Sequence, residues 1–230
     1  MTDEIAVPFS SVEALGFGWA KTKANLRPLL AIGALGAFLV LLERALTTSA
    51  DDDGLGWLLS LAIRVLQVGV MLIYARVALR VHDGESLNLA AGDLLADFFP
   101  YLVTCILQGL IVAVGFVLLI VPGVIWGVKF AYMGFVVIDQ RADPIEALRE
   151  SARLTHGVKW RLLKFGLLCL AVNLVGAIAL GIGLFVTIPT TVVAAAYVFR
   201  RLQGRVAERS QSAPSAPTTI SPLQAPAASH

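Results

Sequence analysis

Six polar side chains interrupt long apolar runs of the sequence, and these are the residues whose chemistry the chain could use. Three are charged and three are amides: Glu43, Arg64 and Lys129, and Gln67, Gln108 and Asn173. A charge inside a membrane helix is costly and usually faces the protein interior, where it pairs or contacts an ion or a polar solute. These six residues therefore form the candidate intramembrane polar site.

The three charged residues all fall in the outer half of a bilayer when they are counted from the outer turn of each hairpin. We expect Glu43 to pair with Lys129 or with Arg64, across a cavity open to the outside or to a lipid headgroup. The alternative is that the two basic side chains extend outward to water, or that the charges form a purely structural pair. The three amides lie nearer the midplane. They are expected to form hydrogen bonds between helices, or else to line a hydrophilic substrate path.

Other kinds of site find no support in the sequence. His82 and His156 stand alone, without a second metal ligand at a usable spacing. No serine has a suitable His and Asp arrangement, and no glycine-rich phosphate loop is present. Cys105 and Cys169 fall inside apolar runs, which indicates free thiols. We therefore expect no catalytic, cofactor-binding or metal site, and the chain is not expected to be an enzyme.

The composition places these residues in membrane helices. Hydrophobic residues make up 57% of the 230 residues and charged residues 15%, whereas soluble domains average about 45–50% and about 25%. A membrane-spanning helix needs about 20 mostly apolar residues, and the runs are continuous rather than alternating, which excludes a barrel. The sequence predicts an all-α polytopic bundle of six transmembrane helices, at about 28–46, 55–81, 98–120, 123–138, 162–180 and 184–199.

The charge distribution predicts how the bundle is oriented. Most Lys and Arg residues fall in alternate connections and at the two ends, and by the positive-inside rule this side is cytoplasmic. Both termini are then inside a cell inner membrane, with no cleavable signal peptide. Residues 1–27 are predicted to form a cytoplasmic amphipathic segment. Residues 203–230, rich in Ala, Pro, Ser and Thr, are predicted to be a disordered cytoplasmic tail.

A short amphipathic helix is predicted over residues 144–156. Asp143 and Glu146 would form a capping box, Pro144 suits the first position, and Gly157 suits the end. Similar segments precede the first and third membrane helices, near residues 11–27 and 86–97. This pattern favours three repeats of an interfacial helix plus a membrane hairpin. The alternative is an ordinary bundle whose cytoplasmic loops are amphipathic.

The fourth and sixth predicted helices are short, and residues 187–191, which include Pro189, are predicted to interrupt the sixth. Broken helices in matching repeat positions can mark the binding site of a transporter. Alternatively, Pro122 begins an ordinary helix, and Thr hydroxyls satisfy the backbone that Pro189 frees.

Several motifs together resemble a bacterial integral membrane family of unknown function, related to the membrane domain of glycerophosphoryl diester phosphodiesterases. The residues that carry the resemblance lie within about residues 9–202: Leu118–Trp126, Ile138–Asp139, Pro144–Leu148, Ser151, Gly157–Trp160, Asn173, Gly181–Gly183 and Ile188–Pro189. The resemblance implies a six-helix membrane domain. It implies no activity, because the family offers no catalytic residues to carry over.

The function predicted from the sequence is that of a non-enzymatic membrane protein, an accessory or scaffold in membrane or envelope homeostasis. The alternative is a transporter or channel for a small solute or lipid. The expected partners are membrane lipids and either a protein partner or a second copy of the chain. No cofactor is expected, and a net charge of +2 gives no argument for nucleic acid.

Overall fold

The chain folds into helices throughout the part that the computed structural model describes, which is residues 10–49, 54–87, 90–178 and 183–212. The helices are α1 (Ser11–Ala24), α2 (Leu26–Ser49), α3 (Gly54–Asp83), α4 (Ala91–Leu118), α5 (Ile120–Lys129), α6 (Met133–Gln140), α7 (Pro144–Leu154), α8 (Lys159–Ile178) and α9 (Leu184–Ser212). Six stretches are long and apolar enough to span a membrane. The predicted all-α polytopic bundle is therefore confirmed.

The third membrane segment begins earlier than predicted. Residues 98–120 were expected to follow a separate interfacial helix at 86–97, but α4 is continuous from Ala91, with Pro100 inside it. Its first turns are held against α3, because Asp97 pairs with Arg76 and Phe98 packs on Gly69. These contacts stabilise α4 across Pro100, which cannot donate a backbone hydrogen bond.

The fourth predicted segment, 123–138, is two helices. α5 ends at Lys129 and α6 begins at Met133. The hydroxyls of Ser151 and Thr155 donate to the Lys129 carbonyl oxygen, at 3.0 and 3.2 Å, while the Met133 amide bonds to Phe130 instead. Since side chains from α7 satisfy this carbonyl, the helix can break inside the bundle without leaving it unpaired.

The sixth segment, predicted at 184–199 with an interruption, is the continuous helix α9. Pro189 lies near its start, and the Thr190 hydroxyl donates to the Val186 carbonyl oxygen at 2.7 Å. The helix also runs on to Ser212, so residues 203–212 are helical and not part of a disordered tail. The rest of the predicted tail (213–230), residues 1–9 and residues 50–53 between α2 and α3 lie outside the described residues.

The predicted interfacial helix exists and begins at Pro144 as predicted, but its end and its N-terminal capping differ from the prediction. α7 ends at Leu154, two residues before the predicted limit of 156, and Gly157 adopts the left-handed conformation (φ 80°) that the sequence predicts. The predicted capping box is wrong, because the Asp143 side chain makes no capping bond. Its backbone carbonyl oxygen accepts from the Ala147 amide at 2.8 Å instead.

Helix α9 forms the centre of the packing. It contacts α1, α2, α3, α7 and α8, and it supplies the buried residues Val193, Ala194, Val198, Phe199 and Leu202. Helix α1 lies along it, with Gly18 against Thr190 and Ala194. The N-terminal amphipathic segment is therefore integrated into the bundle through its Ala14, Gly18 and Thr22 face.

Candidate functional site

The hairpin of α2 and α3 brings three of the six predicted polar residues together. Arg64 Nη2 lies 2.8 Å from Glu43 Oε1, and Gln67 Nε2 donates to Glu43 Oε2 at 3.0 Å. The Glu43 side chain is 14% exposed, whereas that of Arg64 is 68% exposed. The carboxylate is thus directed between the helices, and the guanidinium covers it from the outer surface of the bundle.

Lys129 lies apart from this group. It is the last residue of α5, its carbonyl oxygen accepts from α7, and its Nζ lies 5.0 Å from the centroid of the Phe130 ring. In the part of the chain that the structure describes, no carboxylate pairs with it. Of the two partners expected for Glu43, Arg64 forms the ion pair in the structure. Lys129 instead lies beside α7.

The remaining two amides do not meet. Asn173 Nδ2 on α8 donates to Thr191 Oγ1 on α9 at 3.3 Å, which is the interhelical bond expected of an intramembrane amide. Its Oδ1 is buried without a partner among the described residues. Gln108 is half-buried on α4. The six predicted residues therefore form one cluster at Glu43 and two separate positions on α4 and α8, besides Lys129 on α5.

A cavity of about 390 Å³, open on one side, lies beside the break between α5 and α6. Three tyrosines, two phenylalanines and mainly small or aliphatic side chains surround it, from α3, α4, α5, α6, α8 and α9. Its principal lining residues are Tyr74, Tyr101, Val128, Tyr132, Phe135, Leu162, Phe165, Gly166, Cys169, Thr191, Val192 and Ala195. None of the six predicted polar residues lines it.

A buried ion pair joins α3 to α4. Arg76 pairs with Asp97, and both side chains are less than a tenth exposed. One turn earlier on α4, Asp93 Oδ1 lies 2.8 Å from Arg141 Nη2, in an exposed pair. The N-terminal part of α4 thus presents two carboxylates to two different arginines.

A second set of charges ties α9 to α3 and α6. Arg200 Nη2 lies 2.5 Å from Asp83 Oδ2, and Arg200 Nη1 lies 2.7 Å from Asp139 Oδ1. Gln203 Nε2 also donates to Asp139, at 2.8 Å. One arginine within α9 therefore connects the C-terminal ends of α3 and α6, at the side of the bundle that the sequence predicts to be cytoplasmic.

The attachment of α1 to α9 adds a polar contact at the same end. Tyr197 Oη donates to Glu13 Oε1 at 2.8 Å, and the Ser10 amide donates to Glu13 Oε2. Both bonds favour the carboxylate form, and so they lower the pKa of Glu13.

The charged pairs at this end were missed by sequence reasoning, although a signal exists. Arg76 and Arg80 on α3 are four residues apart, as are Asp93 and Asp97 on α4. Residues spaced by four share a helix face, and this pattern indicates the Arg76–Asp97 pair. It does not indicate that Asp93 pairs with Arg141. Arg44, which directly follows Glu43 in the span Leu26–Leu46, was also missed as an intramembrane charge.

No metal-binding group of three or more His, Cys, Asp or Glu side chains occurs within the described ranges. Comparison with protein-family models, curated proteins and solved structures finds no match to the chain. The relation to the membrane domain of glycerophosphoryl diester phosphodiesterases therefore stays a prediction.

Proposed function

We propose that the chain is a non-enzymatic integral membrane protein that acts as an accessory or scaffold protein in membrane or envelope homeostasis. The observation that carries the proposal is the way in which polar groups within the spans are used. The Glu43 carboxylate pairs with Arg64 and accepts a hydrogen bond from Gln67, and the Asn173 Nδ2 donates to Thr191. Such pairs hold helices together and leave few groups for a passing solute.

The character of the central cavity supports the same proposal. A path for a hydrophilic solute needs polar or charged groups along its wall, but this wall is mostly aliphatic and aromatic. Lys129, Gln108 and Asn173, the residues that a polar path would use, lie outside the lining. We place the protein in the cell inner membrane with both termini cytoplasmic, because Lys and Arg concentrate on that side.

The proposal is tested on the full chain, extracted in native lipid nanodiscs and reconstituted into liposomes. Native mass spectrometry should show a protein partner at a fixed ratio, and the liposomes should release potassium, phosphate and glycerol no faster than empty ones. The double variant Glu43→Gln, Lys129→Met should keep the abundance of the chain and the partner ratio. Protein-dependent solute release that this variant abolishes would contradict the proposal and support a transporter.

The cavity itself favours a second candidate function, the binding or movement of a lipid. Its volume of about 390 Å³ falls within the usual range of ligand pockets, about 300–1,000 Å³, which are mostly apolar. Tyrosine hydroxyls and Thr191 Oγ1 are the main polar groups on its wall. An acyl chain is the ligand that suits such a wall.

Filling the cavity distinguishes the lipid function from the scaffold function. Gly166 lines the cavity, and a Cβ there would meet no atom within 4 Å, so Gly166→Leu should occupy the space without disturbing the packing. Gly109→Leu on α4 is the matched control, since Gly109 also has free space but lies outside the lining. If the cavity holds a lipid, mass spectrometry should show one retained lipid in the wild type and in Gly109→Leu, and none in Gly166→Leu. Equal lipid retention in all three proteins would remove this candidate.

A further inference from the structure

The junction between α7 and α8 contains a buried guanidinium. Arg205 of α9 is 4% exposed, and its Nη2 donates to the His156 carbonyl oxygen at 2.6 Å. His156 and Gly157 are exposed, and α8 begins two residues later, at Lys159. The arginine therefore contacts the exposed loop that precedes α8, three residues before that helix begins.

No carboxylate of the described residues neutralises the positive charge of Arg205. Its Nε is buried and has no hydrogen-bond partner among the described residues, and within the same ranges no carboxylate forms an ion pair with it. The neighbouring charge that acts on it is Arg209, of the same sign. A buried charge is costly unless an opposite charge accompanies it, so the arrangement lacks an anion.

The start of α8 points to the same ligand independently. The Arg161 and Leu162 amides bond to the Val158 carbonyl oxygen, which leaves the N–H groups of Lys159 and Trp160 without a partner among the described residues. The helix dipole makes this end positive. Acidic residues normally occupy such a position, but the first turn of α8 has none and carries Lys159 and Arg161. Next to it, a Cβ on Gly157 would meet no atom within 4 Å, so there is room for a bound group.

We propose that Arg205, the Lys159 side chain and the backbone N–H groups of Lys159 and Trp160 form a binding site for a phosphate group. The ligand is either the headgroup phosphate of an anionic phospholipid or free phosphate. Helix N-termini bind phosphate through backbone donors, and arginine adds a charged hydrogen bond. Trp160, 77% exposed beside the site, is a residue type that favours the headgroup level of a membrane. The site is separate from the Glu43 cluster and from the central cavity.

The test uses the full chain in a neutral detergent, titrated with phosphatidylglycerol and followed by native mass spectrometry. We expect one saturable lipid adduct. Arg205→Gln and Lys159→Glu should each weaken it about tenfold, the usual effect of losing a charged hydrogen bond. Lys159→Glu should keep its thermal stability, because a carboxylate suits a helix N-terminus. This second variant keeps the test valid if Arg205→Gln unfolds.

The matched control is Lys164→Glu, which makes the same charge change on the same helix beyond its first turn. It should bind the lipid within about twofold of the wild type, because five residues separate Lys164 from Lys159 and place it on a different face of α8. Competition by millimolar inorganic phosphate would show that the site takes the phosphate group itself, and resistance to it would identify the lipid headgroup. Equal weakening by Lys159→Glu and Lys164→Glu, or no weakening by Lys159→Glu, would overturn the proposal.

Discussion

At the scale of single residues, the two carboxylates at the start of α4 are chemically alike but differ in surroundings. Asp97 is buried against Arg76, whereas the Asp93 side chain is 41% exposed and pairs with Arg141, which is 64% exposed. An exposed ion pair adds little to the free energy of unfolding, because water already solvates both ions. A buried pair is different, since removing one partner leaves the other charge without compensation.

We therefore predict that Asp97→Asn lowers the free energy of unfolding by about 3–5 kcal/mol. Asp93→Asn, the same change one turn away, should cost less than about 1 kcal/mol. Both are measured by denaturant titration of the purified protein in detergent micelles. The double variant Arg76→Met, Asp97→Leu should recover much of the loss, because it removes both charges. Equal losses in the two single variants would show that burial does not govern these pairs.

The polar residues within the membrane spans could be predicted from the sequence, whereas most of their partners could not. Glu43 and Arg64 belong to consecutive helices that only four residues separate in the sequence, so their pairing could be anticipated. Lys129 could not be placed, because its position depends on Ser151 and Thr155, which lie more than 20 residues further along the chain. Asp97 looked like a surface residue of a short loop helix, and only the extension of α4 buries it.

At the scale of the helix, the contact between α1 and α9 depends on a close backbone approach. A Cβ on Gly18 would overlap the Thr190 carbonyl oxygen and crowd Ala194. Gly16, half a turn away, has no atom within 4 Å of the same added group. The two glycines therefore separate the effect of packing from the effect of helix propensity.

We expect Gly18→Ala to loosen α1 from α9 and Gly16→Ala to strengthen the protein slightly. Alanine favours a helix over glycine by about 1 kcal/mol, so without a packing role both variants would be stabilised alike. Hydrogen exchange of the α1 amides measures the result, and exchange should speed up in Gly18→Ala alone. If the α1 amides of Gly18→Ala exchange as slowly as those of Gly16→Ala, the close approach is not important for the attachment.

The length of the apolar runs was enough to predict that the membrane helices exist, but it did not predict where they break. Pro189 predicted an interruption that α9 does not have, because a proline near the start of a helix removes few backbone bonds and Thr190 bonds back to Val186. The real break, after Lys129, has no proline or glycine at the break itself, and it depends on hydroxyls from another helix. Such a tertiary cause leaves no mark in the local sequence.

At the scale of the whole molecule, polar and apolar groups are segregated along the bundle. Arg200 ties Asp83 and Asp139 together at one end, while large side chains such as Phe38, Trp57 and Leu110 are exposed around the spans. Exposed apolar surface of this extent indicates contact with lipid. The repeated plan is only partly realised, since α1 and α7 are separate helices while the corresponding segment is merged into α4.

This segregation leads to a prediction about topology. In a background lacking both free cysteines, Cys105 and Cys169, single cysteines are introduced at Glu85 and Glu208, near the charged end, and at Gly54, at the start of α3. A membrane-impermeant maleimide should label Gly54→Cys in intact spheroplasts. It should label Glu85→Cys and Glu208→Cys only after permeabilisation, because the arginine-rich end stays in the cytoplasm. Labelling of Glu208→Cys in intact spheroplasts would place the end of α9 outside the cell and contradict the predicted orientation. If Glu85→Cys and Glu208→Cys are labelled from opposite sides, the chain between them cannot cross the membrane an even number of times.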